Sequence, residues 1–367
     1  MNIQFFEKKG QKLISCNFVI PIGTNQTWKD KGSFAHLVEH LIFKGHPKLT
    51  QYELMQQIEG IGGIINASTD SMHTEIFARV EERYLVEVVK LVYEAIVAFD
   101  ISSEDIEEET EIIEIEESQI YEDEEILNTV LGLNETKLIS KFNEEELREI
   151  YHTNYDINNW TLILVGEVKE QTKREIERYA TSKKDKIFEN IGVQIPDSAK
   201  YEAVIVGDEA YFTYYHPCRE LCDKVNMKII KYLLTSGMSS YFYKTLVDEN
   251  AYTYQISFRD VYYDRVGFVI FLACEEKNMD MIRKAFEHVF ATPDFIVTLT
   301  DKEIRRAINM TITEYYLKSE SVSSWVRDRI DSLLMCRSFI DYDEIINSLS
   351  KKSEKEIKAQ IKSLLFA

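Results

Sequence analysis

Residues 60–80 read GIGGIINASTDSMHTEIFARV. Gly60, Gly62 and Gly63 break a helical pattern, and two extended segments follow, Ile64 to Asn66 and Thr74 to Val80. Strands this close in sequence pair antiparallel, because a parallel partner needs a crossover of about a dozen residues or more. A second glycine-punctuated stretch carries a Gly237 turn and then strands at Thr253 to Phe258 and Val266 to Cys274. Hairpins interleaved with helices favour an α+β fold over a doubly wound parallel sheet.

Upstream of the first hairpin, Leu13 to Ile20 reads as a strand that ends at Pro21 and Gly23, followed by a polar loop from Thr24 to Lys31. Ser33 caps a helix whose apolar residues Phe34, Leu37, Val38, Leu41 and Ile42 have helical spacing, and Gly45 with Pro47 stops it. A helix is expected from Thr50 to Glu59, then others from Glu82 to Phe99, Ser103 to Tyr121 and Asn143 to Tyr151. Trp160 to Val165, closed by Gly166, reads as a core strand.

The second half repeats this order: a strand from Ala210 to Tyr215, helices from Asp223 to Leu234 and Ser239 to Asp248, the hairpin, and then mostly helix. The expectation is two related lobes, 1–190 and 198–367, each an antiparallel-rich sheet covered by helices, with a boundary in the polar stretch 181–200. No counterpart of the Trp160 to Val165 strand closes the second half.

The 367 residues carry 43 Lys+Arg against 63 Asp+Glu, a formal net charge of −20, which disfavours nucleic acid and anionic membrane surfaces as partners. No apolar run is long enough for a membrane span. Five cysteines without framework spacing, and a start that lacks a basic segment followed by a long apolar run, point to a reducing, cytoplasmic compartment.

Within the Ser33-capped helix stands His36-Leu37-Val38-Glu39-His40. At about 100° per residue, positions 36 and 40 lie about 40° apart and one turn along the axis, so both imidazoles can reach one metal. This is zinc-ligand spacing, with Glu39 to one side in mirrored order relative to HExxH. A carboxylate there can take the proton of a metal-activated water and pass it to a leaving amine. So short a motif also arises by chance, and a third ligand is required.

The acidic segment Glu104 to Glu125 offers thirteen carboxylates and no Lys or Arg. Helical phase sorts them: Ile106, Glu109, Ile113, Glu116 and Ile120 form one stripe, while Glu107, Glu108, Glu111 and Glu117 face solvent. A carboxylate turned toward a core must be paired, hydrogen-bonded or metal-bound. Glu116 is therefore selected as third ligand and Glu109, two turns earlier, as the group that orients a ligand.

The run from His36 to Gly45 resembles the inverted zinc motif of the pitrilysin/insulinase family, which includes the mitochondrial processing peptidases and small bacterial relatives. That family places its third zinc ligand a similar distance downstream, with another glutamate seven residues earlier, which matches Glu116 and Glu109. Gly62 to Thr69 resembles the family's substrate-pairing strand and implies that Asn66 and Ala67 hold an extended peptide. Asn154 to Gly166 is similar to the end of the family's first half, and Gly237 to Tyr254 to the signature of the second.

The resemblance implies a zinc endopeptidase with Zn²⁺ on His36, His40 and Glu116, Glu39 as base and Tyr254 steadying the substrate carbonyl. It also implies a first lobe that is catalytic and a second that contributes to a substrate chamber. Self-sufficient members carry an arginine seven residues before that tyrosine, and here the position is Val247; Arg219 and Arg259 are the candidate substitutes. A homodimer, or a heterodimer with a paralogue supplying an arginine–tyrosine pair, would complete the site. The competing expectation is a weakly catalytic or non-catalytic subunit of a larger complex.

Other groups receive plainer readings: Cys218 and Cys222 beside His216 as ordinary thiols, His73 as a hydrogen-bonded loop histidine, and His46 and His152 as capping or surface groups. The aromatic residues of the second half read as core and interface packing rather than a stacking platform, because they lack interleaved Lys or Arg.

Overall fold

The computed structural model describes the chain outside residues 29–30, 118–121, 132–140, 180–194, 207–208, 219–223, 263–265, 337 and 367. It divides into two compact units, residues 1–120 with 135–193 and residues 121–134 with 194–367. No helix among the described residues is long and apolar enough to cross a membrane.

The first unit begins with β1 (Asn2–Phe6), β2 (Leu13–Ile20) and the short ribbon β3 (Thr27–Trp28) and β4 (Lys31–Ser33), and continues through α1 (Ala35–Lys44) and α2 (Gln51–Gly60). The hairpin β5 (Ile64–Thr69) and β6 (Thr74–Glu81) precedes α3 (Leu85–Ala98) and α4 (Ser103–Glu117). The next helix, α5 (Glu122–Leu131), belongs to the second unit; α6 (Glu144–Asn154), β7 (Thr161–Val165) and α7 (Glu170–Ile176) complete the first.

The sheet order is β1-β7-β2-β6-β5. All neighbours are antiparallel except β1 and β7, whose parallel register is extended by the Asn2 amide donating to the Trp160 carbonyl. Strand β7 is buried along its whole length, as expected for a central strand. Local sequence sets several helix starts: Thr50 with Glu53 and Asn143 with Glu146 form reciprocal capping boxes. Phe34, rather than Ser33, is the N-cap of α1, although the Ser33 hydroxyl still accepts from the Ala35 amide at 3.3 Å. Gly23, just past β2, lies so close to the β5–β6 turn that a Cβ there would stand 2.3 Å from the Asp70 carbonyl oxygen. Only glycine permits this approach.

The second unit contains β8 (Lys200–Val206), β9 (Glu209–Pro217), α8 (Lys224–Leu234), β10 (Thr253–Tyr262) and β11 (Val266–Cys274). Helices α9 (Met279–Phe290), α10 (Asp294–Thr298), α11 (Asp301–Glu320), α12 (Val322–Cys336), α13 (Tyr342–Lys351) and α14 (Glu354–Phe366) follow. Its sheet, β10-β11-β9-β8, is wholly antiparallel. Removing β7 from the first sheet leaves β1-β2-β6-β5, the same order reversed, with each strand in its corresponding place in the chain. Among the described residues, the second unit thus has no counterpart of β7.

Two expectations are corrected. The division at 181–200 assigned α5 to the first lobe, but Ile126 packs with Tyr211 and Ala273 of the second sheet. The helix expected from Ser239 to Asp248 is mainly a π-helical turn at Tyr243–Asp248. The aromatic residues do form core: Phe242 stacks on Phe286 with ring centroids 4.3 Å apart, and Tyr214 on Phe290 at 4.1 Å.

His216 is buried in this core on β9. Its Nδ1 accepts from the Tyr214 hydroxyl at 2.9 Å and its Nε2–H donates to the Leu364 carbonyl at 3.3 Å. Burial pulls its pKa down to about 4, with the Leu364 bond opposing. Between the ordinary histidine value and about 4 the unfolded chain binds a proton that the native imidazole does not, so stability falls as pH falls through that window. The contribution lost is about 3 kcal/mol. Urea unfolding of wild type and His216→Phe at several pH values should show this component of the acid slope only in the wild type.

Candidate functional site

Helix α1 places His36, Glu39 and His40 along the side that meets α4 and β5. Glu109 on α4 is buried, and a buried carboxylate requires counter-charge. It accepts from His40 Nδ1 at 2.9 Å and faces the Lys44 ammonium at 3.1 Å. Burial alone would raise its pKa, but the bonds to His40 and Lys44 outweigh burial and hold it below the ordinary carboxylate value. The same bond raises the pKa of His40 against the effect of burial. With its proton on Nδ1, His40 presents the Nε2 lone pair on the other side of the ring.

Glu116 stands two turns further along α4, and its Oε2 lies 3.7 Å from both His36 Nε2 and His40 Nε2. The three donor atoms fall within 4.8 Å of one another, in the one such cluster among the described residues. Donors about 2.1 Å from a tetrahedral metal are about 3.4 Å apart, so the carboxylate and the two imidazoles fit a single divalent cation with small adjustments. Burial and the neighbouring His40 lower the pKa of His36, which favours its neutral, ligating form. One expectation changes: Glu109 is in the core, whereas the Glu116 side chain is 52% exposed at the cleft. Ile120, the end of the sequence-predicted stripe, lies outside the described residues.

Glu39 faces the same cleft, of about 470 Å³, whose wall includes Asn66 and Ala67 on β5. Burial raises its pKa, and a hydrogen bond from the Thr69 hydroxyl, 2.6 Å from Oε2, opposes the rise. Strand β5 is an edge strand. The Ala67 amide donates to Asn66 Oδ1 at 2.9 Å, a bond that an incoming strand would have to replace.

Sequence reading did not single out Lys44, Gln51 or Thr69. Period-two alternation was the available signal for Thr69, since Ile65 and Ala67 pack on the core and position 69 continues their face. No local signal pairs Lys44 with Glu109.

Tyr254 is 71% exposed near the start of β10 in the second unit, and Val247 lies in the π-helical turn. Arg259 is exposed on β10, and Arg219 and Cys222 lie outside the described residues. Cys218 is buried, both His216 nitrogens are occupied, and no metal cluster forms there among the described residues. His73 is buried with Nδ1 2.9 Å from Asp70 Oδ1. His46 is not a surface group; it is buried and its Nδ1 accepts from the amides of Lys48 and Leu49, while His152 is exposed.

The second unit shows what its sequence placed in the corresponding position. Glu314 lies fourteen residues after Thr300, the N-cap of α11, just as Glu116 lies fourteen after Ser102, whose hydroxyl accepts from the Asp105 amide before α4. Helix α8 supplies Lys228 Nζ at 2.5 Å and Lys231 Nζ at 3.0 Å from the Glu314 carboxylate. Ammonium groups of the chain itself thus face this carboxylate, whereas Glu116 faces two imidazoles. Burial alone would raise the Glu314 pKa, but Lys228 dominates and pulls it down to about 2.

The model of the family described as Insulinase (Peptidase family M16) matches residues 6–153, and that described as Peptidase M16 inactive domain matches residues 141–311. An uncharacterized zinc protease, YmxG, of Bacillus subtilis (strain 168) is 20% identical, covering 94% of this chain and 88% of that protein. A mitochondrial-processing peptidase subunit beta of Mus musculus is 27% identical over 47% of this chain and 40% of its own length. A crystal structure of a protease from Helicobacter pylori superposes with a TM-score of 0.81 at 15% identity, covering 99% of this chain and 93% of that one.

Lys228→Met removes the nearest of the three ammonium groups around the largely buried Glu314 carboxylate and should cost about 2 to 4 kcal/mol of unfolding free energy. The double variant Lys228→Met/Glu314→Gln should recover much of that loss in denaturant titrations.

Proposed function

The chain belongs to the pitrilysin/insulinase (M16) peptidase family, and we propose that it is a zinc-dependent endopeptidase cleaving short or unfolded peptides, including a peptide precursor or its leader. The observation that carries the proposal is the convergence of His36, His40 and Glu116 beside the Glu39 carboxylate. Two imidazoles and one carboxylate are a donor set suited to zinc, and Glu109 would orient His40 toward it. Bound there, Zn²⁺ would supply Lewis-acid polarisation and lower the pKa of water.

The protein's own groups perform the remaining work. Glu39 accepts the proton of the attacking water and returns it to the departing amine. An extended peptide adds as a further strand to the open edge of β5, where the outward-facing backbone groups around Asn66 and Ala67 set its register. Tyr254 is proposed as the hydroxyl that steadies the substrate carbonyl, a role that rests on its place in the sequence from Gly237 to Tyr254.

Val247 at the expected arginine position favours a second reading, in which the chain is a weakly catalytic subunit completed by another copy or by a paralogue with an arginine–tyrosine pair. The mitochondrial-processing peptidase relatives are themselves named as beta subunits. The thiols of Cys16, Cys218 and Cys274 fit a reducing compartment such as the cytoplasm.

Metal analysis of the purified chain should give one zinc per molecule, lost in Glu116→Ala. Glu39→Gln should retain the zinc and lower kcat on an internally quenched peptide by about 100-fold or more. Full hydrolysis after exhaustive chelation would overturn the proposal. The net charge of −20 predicts preference for Lys- and Arg-containing peptides, with kcat/KM falling as salt rises; indifference to both would remove the electrostatic part.

A further inference from the structure

Glu39 projects from the middle of α1 into a cleft, and several rotatable bonds separate its carboxylate from the helix. A base must nevertheless be held within a fraction of an ångström of its working position, because misplacement by about 1 Å can cost about 100-fold in rate. Backbone geometry does not fix a side chain of that length, so a neighbouring group must do so.

Thr69, the last residue of β5, meets this requirement. Its hydroxyl lies 2.6 Å from Glu39 Oε2, within the short range of charge-assisted O–H···O⁻ bonds. Thr69 is β-branched and therefore stiff at χ1. Its cross-strand partner in the β5–β6 register is Thr74, which is fully buried, and the two hydroxyl oxygens are 3.0 Å apart. Because the Thr69 proton is committed to Glu39, the Thr74 hydroxyl is the donor of that pair, and its one proton is shared between Thr69 Oγ1 and the Ile22 carbonyl, each at 3.0 Å, next to the close approach of Gly23 to the hairpin turn. The chain of contacts thus runs from the carboxylate, through two hydroxyls, to rigid backbone at the end of β2.

We infer that Thr69 is a positioning residue for Glu39, backed by Thr74, and that strand β5 aligns the peptide and the base through one piece of backbone. The inference rests on the peptidase reading above and deepens it. Asn66 and Ala67, the proposed peptide-pairing residues, lie three and two residues before Thr69 on the same strand. A peptide in register with β5 is therefore also in register with Glu39. Loss of the Thr69 hydroxyl should act on the catalytic step and leave substrate pairing intact.

The test uses the full chain, loaded with zinc, and an internally quenched basic peptide. Thr69→Val keeps the shape and removes the donor; kcat is expected to fall about 10- to 100-fold with little change in KM. Thr69→Ser restores the larger part of kcat, and Thr74→Val gives a smaller loss of the same kind. Zinc stoichiometry and the unfolding midpoint stay near wild type in all three. In a Glu39→Gln background, Thr69→Val has no further effect on residual turnover, because Thr69 acts through the carboxylate.

Wild-type kcat in Thr69→Val, alongside an inactive Glu39→Gln, would overturn this inference and leave the peptidase reading standing. Loss of zinc or of folding in Thr69→Ser as well as Thr69→Val would overturn it in favour of a structural role. A wild-type chain that neither binds zinc nor cleaves would overturn both.

Discussion

The first unit depends on one buried carboxylate. Glu109 is fixed between the His40 imidazole and the Lys44 ammonium, both on α1, and it cannot leave them without exposing an unpaired charge to the core. That requirement sets the register of α4 against α1. Two turns, or about 10 Å, further along the same helix, Glu116 then arrives opposite both imidazoles. The proposed metal ligands are thus positioned by an electrostatic constraint outside the ligand set itself. The acidity of α4, which by composition resembles a solvated face, includes one buried carboxylate held by α1, and the exposed Glu108 adds a 2.7 Å pair to the same Lys44.

The second unit solves a related problem without a metal. It retains the strand order of the first, less one strand, and it retains a glutamate at the matching position after the helix cap. Lys228 and Lys231 supply the counter-charge to Glu314 from α8. A covalently attached ammonium joins α8 to α11 through Glu314, whereas in the first unit Glu116 meets two imidazoles of α1. The same architecture therefore carries a structural pairing in one unit and a candidate reactive centre in the other.

The edge of the first sheet links recognition to chemistry in the proposed mechanism. Strand β5 is unpaired on one side and packs against α1 on one face. The glycine break at Gly60 to Gly63 opens the strand, and the turn held by Asp70 closes it. The open side offers backbone groups to an extended peptide, while the packed face brings Thr69 to Glu39.

Much of this was legible in the chain alone. Glycine breaks and alternation gave the hairpins, helical spacing gave α2 and α6, and helical phase singled out Glu109 and Glu116 from thirteen acidic residues. These are local signals, since spacing along a strand or helix reports which residues share a face. What meets that face is a separate matter. The pairings of His40 with Glu109, Glu39 with Thr69 and Lys228 with Glu314 span 69, 30 and 86 residues. The joining of α5 to the second sheet and the parallel pairing of β1 with β7 are likewise products of long-range packing. Periodicity determined the candidate side chains; only the docking of helix on helix and helix on strand decided their partners, because burial of charge is settled between elements and not within them.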